Sequence, residues 1–331
     1  MADVARMAGV STATVSHVLN GTRPVRARTR ELVLSAVAAT HYTPNTVARS
    51  LATARTTTMG LVLSAISNPY FGELLSAAET AAAAAGYTLL LVDPHEDPDY
   101  ELTVVTRLHN HRVDGMVLAP SAHPDAALAY LDRHEVPTVL LDRLIDPERD
   151  QVGTENREAT AALTGHLADH GHTRIALITG LDGLATTVER RDGHRDALVA
   201  RGLRVDPELE VSGSSATATA EAAVRQLLAL DDPPTAIVAG NNSMAIGMLK
   251  ALREAGLAVP GDVAVAAFDD FPWADLFSPR LTVVAQPFGE IATTAVHLLL
   301  ARIADPDAPP TTRRIVPELR IRDSCGCSPG G

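Results

Sequence analysis

The 331-residue sequence contains only two cysteines, Cys325 and Cys327, close to its C-terminus. Two cysteines cannot build a disulfide framework, so we expect a protein of a reducing compartment. No run of about 18 apolar residues is present, which argues against a transmembrane helix. The first residues lack a basic segment followed by an apolar one, so we expect no signal peptide and a cytoplasmic location. Aromatic residues make up only 3% of the chain.

Positive charge is also scarce, but it is concentrated at one end. The net charge of the chain is −12. Residues 1–58 contain seven arginines against Asp3 and Glu31, a net charge of +5, so the remaining residues carry −17. A small basic unit attached to an acidic body is typical of proteins that contact nucleic acid through one domain.

Residues 3–21 have the pattern of a helix-turn-helix. Gly9 suits the turn, because the residue after a helix often needs a positive φ, and Ser11 is a favourable N-cap for a second helix. Apolar residues recur on one face of each predicted helix: Val4, Ala5, Ala8, Val15, Val18 and Leu19. Such a pair of helices is a common DNA-reading motif, with the second helix in the major groove. The alternative is an ordinary helical hairpin.

The second helix supplies the candidate DNA contacts. Thr12 and Ala13 lie at the N-terminal end, which faces base edges in this motif, and His17 shares a face with Ala13. The full set of expected contacts in this region is Thr12, Ala13, Thr14, Ser16, His17, Asn20 and Arg23. Thr14 and Ser16 suit phosphate contacts. A third helix is predicted over 27–40, with Val33, Leu34 and Val37 facing inward.

The run A-G-V-S-x-A-T-V-S-x-V-L-N-G resembles the lac repressor (LacI/GalR) family of bacterial transcription regulators. Its recognition helix, S-T-A-T-V-S-H, is most similar to the purine repressor branch. Two residues depart from the family pattern: Arg26 stands where a serine N-cap is usual, and His41 where a glycine usually ends the third helix. The resemblance covers nearly the whole chain.

The resemblance implies a hinge after the DNA-binding domain of residues 1–43. Residues 44–58 form this hinge and a linker, and about eight residues cannot hold a helix alone in water. In the family, paired hinge helices enter the minor groove and a leucine wedges apart a base step; Leu51 matches that leucine. The matching contacts are Asn45, Ala48, Arg49 and Leu51. Packing of Leu51 on the body is the alternative.

From residue 59 onward, short apolar runs alternate with helical segments, which predicts two doubly wound α/β lobes with parallel sheets. This effector-binding and dimerisation domain, 59–331, resembles the fold of periplasmic sugar-binding proteins. Lobe 1 is predicted over about 59–157 and 287–313, and lobe 2 over about 158–286 and 314–323. The fold class is therefore an all-α helix-turn-helix head plus an α/β two-lobed effector domain.

Residues matching the family's ligand motifs fall at predicted strand ends, where such folds bind ligands. These candidate effector contacts are Asn68, Tyr70, Phe71, Asp142, Asn156, Arg190, Asn241, Asp269 and Trp273. Carboxylate, amide and guanidinium groups suit hydroxyl-rich ligands, and aromatic faces can stack on a sugar ring. We therefore favour a sugar over a purine as the effector.

Other groups of residues are weaker indications of a catalytic or metal site. A glycosidase carboxylate pair among Asp142, Asp269 and Asp270 is not accompanied by any second catalytic pattern. His166 and His170 have a spacing suited to metal binding, but we expect no carboxylate or cysteine to complete a site, and Cys325 and Cys327 alone are too few. We expect no catalysis, no metal, no cofactor and a mobile C-terminal tail.

The leading hypothesis is a homodimeric transcriptional repressor that reads a pseudo-palindromic operator and responds to a small-molecule effector between its lobes. One alternative is the sugar-binding component of a periplasmic transporter, against which the basic head and the lack of a signal peptide argue. A sugar-processing enzyme is a third possibility. The sequence leaves open the effector's identity, the sign of its action and the operator sequence.

Overall fold

The computed structural model describes residues 1–20, 23–42, 55–64, 71–271 and 274–327. Its chain divides into two compact units, Met1–Thr57 and Thr58–Gly331. The predicted hinge contacts Asn45, Ala48, Arg49 and Leu51 lie outside the described residues. Among the described residues, no helix combines the length and apolar character needed to cross a bilayer.

The first unit contains three helices, α1 (Ala2–Ala8), α2 (Thr12–Asn20) and α3 (Ala27–Ala39). Gly9 ends α1 in the left-handed region with φ of 65°, which glycine adopts without steric cost. Ser11 Oγ accepts a hydrogen bond from the Thr14 amide at 3.1 Å and so caps α2. The predicted turn and N-cap are both confirmed.

Apolar side chains from all three helices form the core of this unit: Val4, Ala5, Ala8, Val15, Val33 and Ala36. The prediction that Leu34 faces inward is wrong, since this residue is 47% exposed. Val33 and Ala36, three residues apart, face the core, and Leu34 lies about 100° further around the helix from Val33. Arg26 makes no side-chain cap to α3, and His41 adopts the left-handed region with φ of 49°.

The second unit contains two six-stranded sheets, one in each lobe. The first lobe has β1 (Thr58–Val62), β2 (Thr88–Val92), β3 (Gly115–Leu118), β4 (Thr138–Leu141), β5 (Asp150–Thr154) and β11 (Thr312–Ile315), in the order β11-β5-β4-β3-β1-β2. All its strand pairs are parallel. Its helices are α4 (Gly72–Ala84), α5 (Pro98–Asn110), α6 (Asp125–Arg133) and α11 (Phe288–Ala304).

The second lobe repeats this arrangement. Its strands are β6 (Ile175–Thr179), β7 (Glu210–Ser212), β8 (Ala236–Ala239), β9 (Ala264–Phe268), β10 (Thr282–Ala285) and β12 (Glu318–Arg320), in the order β12-β10-β9-β8-β6-β7. Only the edge strand β12 runs antiparallel to its neighbour among these described strands. Its helices are α7 (Arg157–Asp169), α8 (Ala185–Ala200), α9 (Thr217–Leu228) and α10 (Asn242–Glu254).

The predicted return to lobe 2 at residue 314 is wrong by two residues. Arg314 and Ile315 still pair with Gly153 and Thr154 in the first sheet, and the second sheet resumes only at Glu318. The chain therefore passes between the lobes in three short segments, after β5, after β10 and after β11. Three adjacent connections of this kind can act as a hinge between two rigid bodies.

β5 was not recognisable as a buried strand, because its sequence D-Q-V-G-T is mostly polar. Every residue of β5 is nevertheless buried. Asp150 accepts hydrogen bonds from Arg302 Nε and the Thr311 amide, each at 2.8 Å, and the Gln151 side chain donates to Thr312 Oγ1 at 3.0 Å. These partners come from residues about 150 positions away, so the sequence pattern could not reveal that the polar groups are satisfied.

The C-terminal residues do not form the mobile tail that we expected. A short 3-10 helix at Asp323–Cys325 packs on the second lobe, and Cys325 is only 1% exposed. Cys325 belongs to the apolar cluster that includes Leu163 and Phe268. The expectation is therefore wrong for the described residues up to Cys327, because this final turn packs into the apolar core of the second lobe.

Candidate functional site

The exposed end of α2 carries two of the predicted DNA contacts. Thr12 and Ala13 are exposed, whereas Ser16 and His17 on the following turn are half-buried. The Thr14 hydroxyl lies 2.9 Å from Ser11 Oγ, so it takes part in the helix cap. The side chain of Asn20 is not described.

Exposed basic side chains follow α2 in the same unit. Arg23, Arg26, Arg28 and Arg30 are all exposed. No acidic residue lies in the first turn of α2, so the partial positive charge of its N-terminus is not neutralised within the helix. A helix N-terminus and several guanidinium groups together suit a polyanion such as a nucleic-acid backbone.

The second unit has a cleft between its lobes, at the carboxyl ends of the parallel strands. It contains about 800 Å³ of space free of protein atoms, part of it open to solvent. Both lobes contribute side chains: Ser64, Phe71, Glu96, Asp142, Arg143 and Phe288 from the first, and Thr179, Thr187, Arg190, Ser215, Asn241 and Asp269 from the second. A concave site on which polar side chains from two lobes converge is typical of small-molecule binding.

Two aspartates occupy equivalent positions in the two lobes. Asp142 follows β4 and Asp269 follows β9, which have the same place in their sheets. Both aspartates adopt the left-handed region, with φ of 67° and 77°. Non-glycine residues rarely adopt this conformation, and its occurrence at both strand ends is typical of functional sites.

Arg190 on α8 interacts electrostatically with both carboxylates, and its guanidinium is fixed by protein partners. Its Nε donates to Asn156 Oδ1 at 2.8 Å, and Nη1 donates to the Gly240 carbonyl at 2.6 Å. The guanidinium carbon lies 3.7 Å from the centroid of the Phe268 ring. A guanidinium fixed by two hydrogen bonds and a ring face is preorganised, so little conformational entropy is lost when a ligand binds to it.

Asp269 is linked to the other lobe through a glutamine. Gln286 Nε2 donates to Asp269 Oδ1 at 2.6 Å, and Thr154 Oγ1 at the end of β5 donates to Gln286 Oε1. Asp269 is 6% exposed. This relay joins the two lobes at the floor of the cleft, so a ligand that contacts Asp269 also acts on an inter-lobe connection.

Burial dominates the electrostatics of both aspartates. Burial raises the pKa of Asp269, and Arg190 and the Gln286 hydrogen bond only partly oppose this increase. Burial likewise raises the pKa of Asp142 against the opposing charges of Arg143 and Arg190. Their ionised forms are therefore disfavoured in this cleft, so a ligand that donates hydrogen bonds to them compensates for lost hydration.

The first-lobe side of the cleft combines an ion pair with aromatic rings. Arg143 Nη1 donates to Glu96 Oε2 at 2.9 Å. The Phe71 and Phe288 rings meet edge to face, with centroids 5.9 Å apart. Glu96, Arg143, Gln286 and Phe288 line the cleft but were not predicted as site residues. Arg143 directly follows the predicted contact Asp142, whereas no sequence signal identified Glu96.

The structure assigns Asn156 a different position from the one we expected. Asn156 is 1% exposed, and its amide donates to the Thr154 carbonyl and to Glu189 Oε2, each at 3.0 Å. Its oxygen accepts from Arg190, so its hydrogen-bonding groups are occupied by protein partners. Asn156 therefore lies behind Arg190 and positions it. Asn241 does line the cleft, and its Oδ1 caps α10 by accepting from the Met244 amide at 2.8 Å.

The structure brings together Phe71, Asp142, Arg190, Asn241 and Asp269 around one cleft. The three remaining predicted contacts, Asn68, Tyr70 and Trp273, lie outside the described residues.

Comparisons with known proteins agree with both units. Residues 1–45 match the family of bacterial regulatory proteins, lacI family, and residues 164–325 match a periplasmic binding protein-like domain. The HTH-type transcriptional repressor PurR of Mannheimia succiniciproducens is 36% identical over 324 residues, which cover 97% of each chain. PurR of Vibrio vulnificus is 34% identical over the same length, again with 97% of each chain covered.

Solved structures extend the agreement to the fold. A lac repressor dimer bound to operator and the anti-inducer ONPF is 27% identical with a TM-score of 0.88, over 98% of each chain. A complex of the transcriptional regulator CelR with cellobiose is 30% identical with a TM-score of 0.76, over 97% of this chain and 98% of that one. The helix-turn-helix head, the two-lobed α/β body and these relatives together show that the chain belongs to the lacI family of bacterial regulatory proteins and is an effector-controlled, DNA-binding transcriptional regulator.

Proposed function

We propose that this regulator acts in the cytoplasm as a homodimeric repressor and binds a pseudo-palindromic operator through α2 and the hinge residues. Thr12 and Ala13 are exposed at the helix end that faces base edges in helix-turn-helix proteins, and exposed arginines follow α2 in the same unit. Two identical heads related by a two-fold axis require a two-fold site. The other contacts proposed on the head are Thr14, Ser16, His17, Asn20 and Arg23.

The contacts separate into two classes with different expected behaviour. Replacing Thr12 with alanine should weaken binding to the operator and leave binding to random duplex unchanged, because a base contact is sequence-specific. Arg23→Gln should weaken binding to both operator and random duplex and reduce the slope of log affinity against log salt by about one, as expected for one phosphate contact. Fluorescence anisotropy at several salt concentrations measures both quantities. Equal loss of operator and random-DNA affinity in Thr12→Ala would remove α2 from base recognition.

We propose that the cleft binds a hydroxyl-rich effector, a sugar or a close chemical relative. The observation that carries this proposal is that the two equivalent aspartates, Asp142 and Asp269, line one cleft with the fixed guanidinium of Arg190. Carboxylates accept hydrogen bonds from neighbouring hydroxyls, and the guanidinium donates to ring and hydroxyl oxygens. Asn241 supplies a further amide, and Phe71 an apolar surface for the ligand's C–H groups.

A nucleobase is the second candidate effector. The sequence similarity to PurR repressors, which extends over 97% of the chain, favours it. Thermal-shift screening of sugars and nucleobases with the intact protein distinguishes the two classes, since a cleft ligand stabilises the folded state by RT ln(1 + [L]/Kd). We expect a sugar to give the larger shift. A shift with nucleobases alone would contradict the sugar assignment and keep the cleft as the effector site.

We propose that effector binding and operator binding are coupled through closure of the two lobes. The hydrogen bonds from Thr154 through Gln286 to Asp269 support this proposal, because they link a proposed ligand contact to a connection between the lobes. Coupling of this kind amounts to about 1–3 kcal/mol and is reciprocal, so operator DNA must change effector affinity by the same factor.

Retardation of DNA in a gel distinguishes this function from that of a transport binding protein. The intact chain should retard a duplex from the region upstream of its own coding sequence, and random competitor should not abolish the complex. Effector binding without any retardation of DNA would favour the transport role, which the basic head argues against.

A further inference from the structure

The last described residues are fixed in place on the second lobe. Ser324 Oγ donates to the Val265 carbonyl at 2.7 Å and accepts from the Thr282 amide at 2.8 Å. Cys325 is buried, and Cys327 is half-buried. The positions of the two thiols are therefore set by packing and hydrogen bonds along strands of the second sheet.

Two histidines at the end of α7 lie beside these thiols. His166 and His170 are one helical turn apart, with ring centroids 4.4 Å apart. His166 Nε2 lies 3.1 Å from Cys327 Sγ and 3.4 Å from Cys325 Sγ. The expectation that no cysteine completes the histidine pair is therefore wrong, because the fold brings together residues about 160 positions apart.

The second histidine has the hydrogen-bonding pattern of a metal ligand. His170 Nδ1 lies 2.7 Å from the His166 carbonyl oxygen. This contact requires Nδ1 to carry the proton, which leaves Nε2 as an acceptor. Metal-binding histidines commonly donate their second nitrogen to a backbone carbonyl, since this bond fixes the ring and its tautomer.

The distances suit a single small cation. One ligand atom each from His166, His170 and Cys327 lie within 4.8 Å of one another, and Cys325 joins them through its contact with His166. In a tetrahedral zinc site with bonds of about 2.0–2.3 Å, neighbouring ligand atoms lie roughly 3.3–3.8 Å apart. The separations of His166 Nε2 from the two sulfur atoms, 3.1 and 3.4 Å, are close to that range.

We propose that His166, His170, Cys325 and Cys327 bind one Zn²⁺ ion and thereby fasten the C-terminal residues to α7. Two imidazoles and two thiolates form a donor set that zinc prefers in structural sites. The site lies on the second lobe and shares no residue with the effector cleft, so it does not depend on the effector's identity.

Titration with Co²⁺ and displacement by Zn²⁺ test the proposal on the full chain, prepared metal-free and reduced. We expect one equivalent of Co²⁺ per chain, sulfur-to-cobalt charge-transfer absorption and the intense d–d bands of a tetrahedral site. Zn²⁺ should abolish these bands and protect both thiols from a disulfide reagent. A chelator should restore thiol reactivity.

Two variants and one control complete the test. His170→Gln, at an exposed position, and Cys327→Ser should each weaken Zn²⁺ binding more than about tenfold. His111→Gln changes an exposed histidine at the end of α5 and should leave binding unchanged. Unchanged affinity in both cluster variants, or a reduced protein without thiolate-to-cobalt absorption, would overturn the proposal. Quantitative Cys325–Cys327 disulfide in anaerobically purified protein would also overturn it, in favour of a redox pair.

Discussion

Two adjacent aspartates, Asp269 and Asp270, should respond in opposite ways to the same substitution. Asp269 faces the cleft, and burial raises its pKa. Burial also acts to raise the pKa of Asp270, but hydrogen bonds from Arg322 and Arg320 outweigh it and lower that pKa. Asp269→Asn and Asp270→Asn therefore form a matched pair that separates ligand binding from structural support.

The structure sets the expected stability changes. Asp270 accepts from Arg322 Nη1 at 3.0 Å and Nη2 at 2.8 Å, and from Arg320 Nη1 at 2.7 Å. An asparagine would place an NH₂ group against a guanidinium, so Asp270→Asn should lower the free energy of unfolding at pH 7 by about 2 kcal/mol.

Asp269→Asn should leave stability within about 1 kcal/mol of the wild type. Its Oδ1 can still accept from Gln286, and the other oxygen makes only a 3.4 Å contact with the Asn242 amide. Because the folded-state pKa of Asp269 is raised, ionisation disfavours the native state as pH rises, and the variant removes that unfavourable term.

Effector affinity should show the reverse order. Loss of charge-assisted hydrogen bonds in Asp269→Asn is expected to weaken effector binding about 10- to 100-fold, whereas Asp270→Asn should change it less than about twofold. Urea unfolding followed by circular dichroism gives the stabilities. Isothermal titration calorimetry, with the compound that gives the largest thermal shift, gives the affinities. Full effector affinity in Asp269→Asn, with a stability loss equal to that of Asp270→Asn, would refute the reasoning and make Asp269 a structural residue.

Three further predictions concern other parts of the molecule. His194 is buried, and burial lowers its pKa from 6.5 to about 4. Its contribution to the free energy of unfolding is therefore complete above pH 6.5 and is lost as pH falls towards 4. His194→Phe should reduce the stability lost between pH 7 and 4.5 by about 2–3 kcal/mol in denaturation curves. Arg190→Lys should weaken effector binding about tenfold or more in calorimetry, since lysine cannot reproduce the fork held by Asn156 and Gly240; unchanged affinity would exclude a guanidinium contact. Leu51→Ala should reduce operator affinity in anisotropy and leave effector affinity unchanged, and equal operator affinity would remove the proposed wedge.

The strands of the body that are continuous apolar runs could be predicted from the sequence. β3, β4 and β8 are continuous apolar runs between helices, and such runs need burial on both faces, so local sequence determines their extent. β5 could not be found in this way. Its Asp150 and Gln151 are satisfied by Arg302 and Thr312, and only the folded chain places those partners beside it.

The candidate site likewise contains residues that the local sequence identified and residues whose roles depend on distant parts of the chain. Residues next to a recognisable motif, such as Asp269 and Arg190, were placed in the cleft. Asn156 was expected to contact the ligand, but its hydrogen bonds to Arg190 and Glu189 depend on the packing of α7 against α8. The cluster of His166 with Cys327 could not be recognised from the sequence. The histidines and the cysteines are far apart along the chain, and they meet only because the C-terminal residues return to α7.

In this regulator a basic head binds specific DNA under the control of the two-lobed body. The decisive experiment is selection from random duplexes with the intact protein, followed by anisotropy of the enriched sequence with and without effector. We predict a pseudo-palindromic sequence bound in preference to random competitor, with an affinity that effector changes by about 5- to 150-fold, and an equal change in effector affinity on adding DNA. No enrichment of any duplex, with or without effector, would contradict the account.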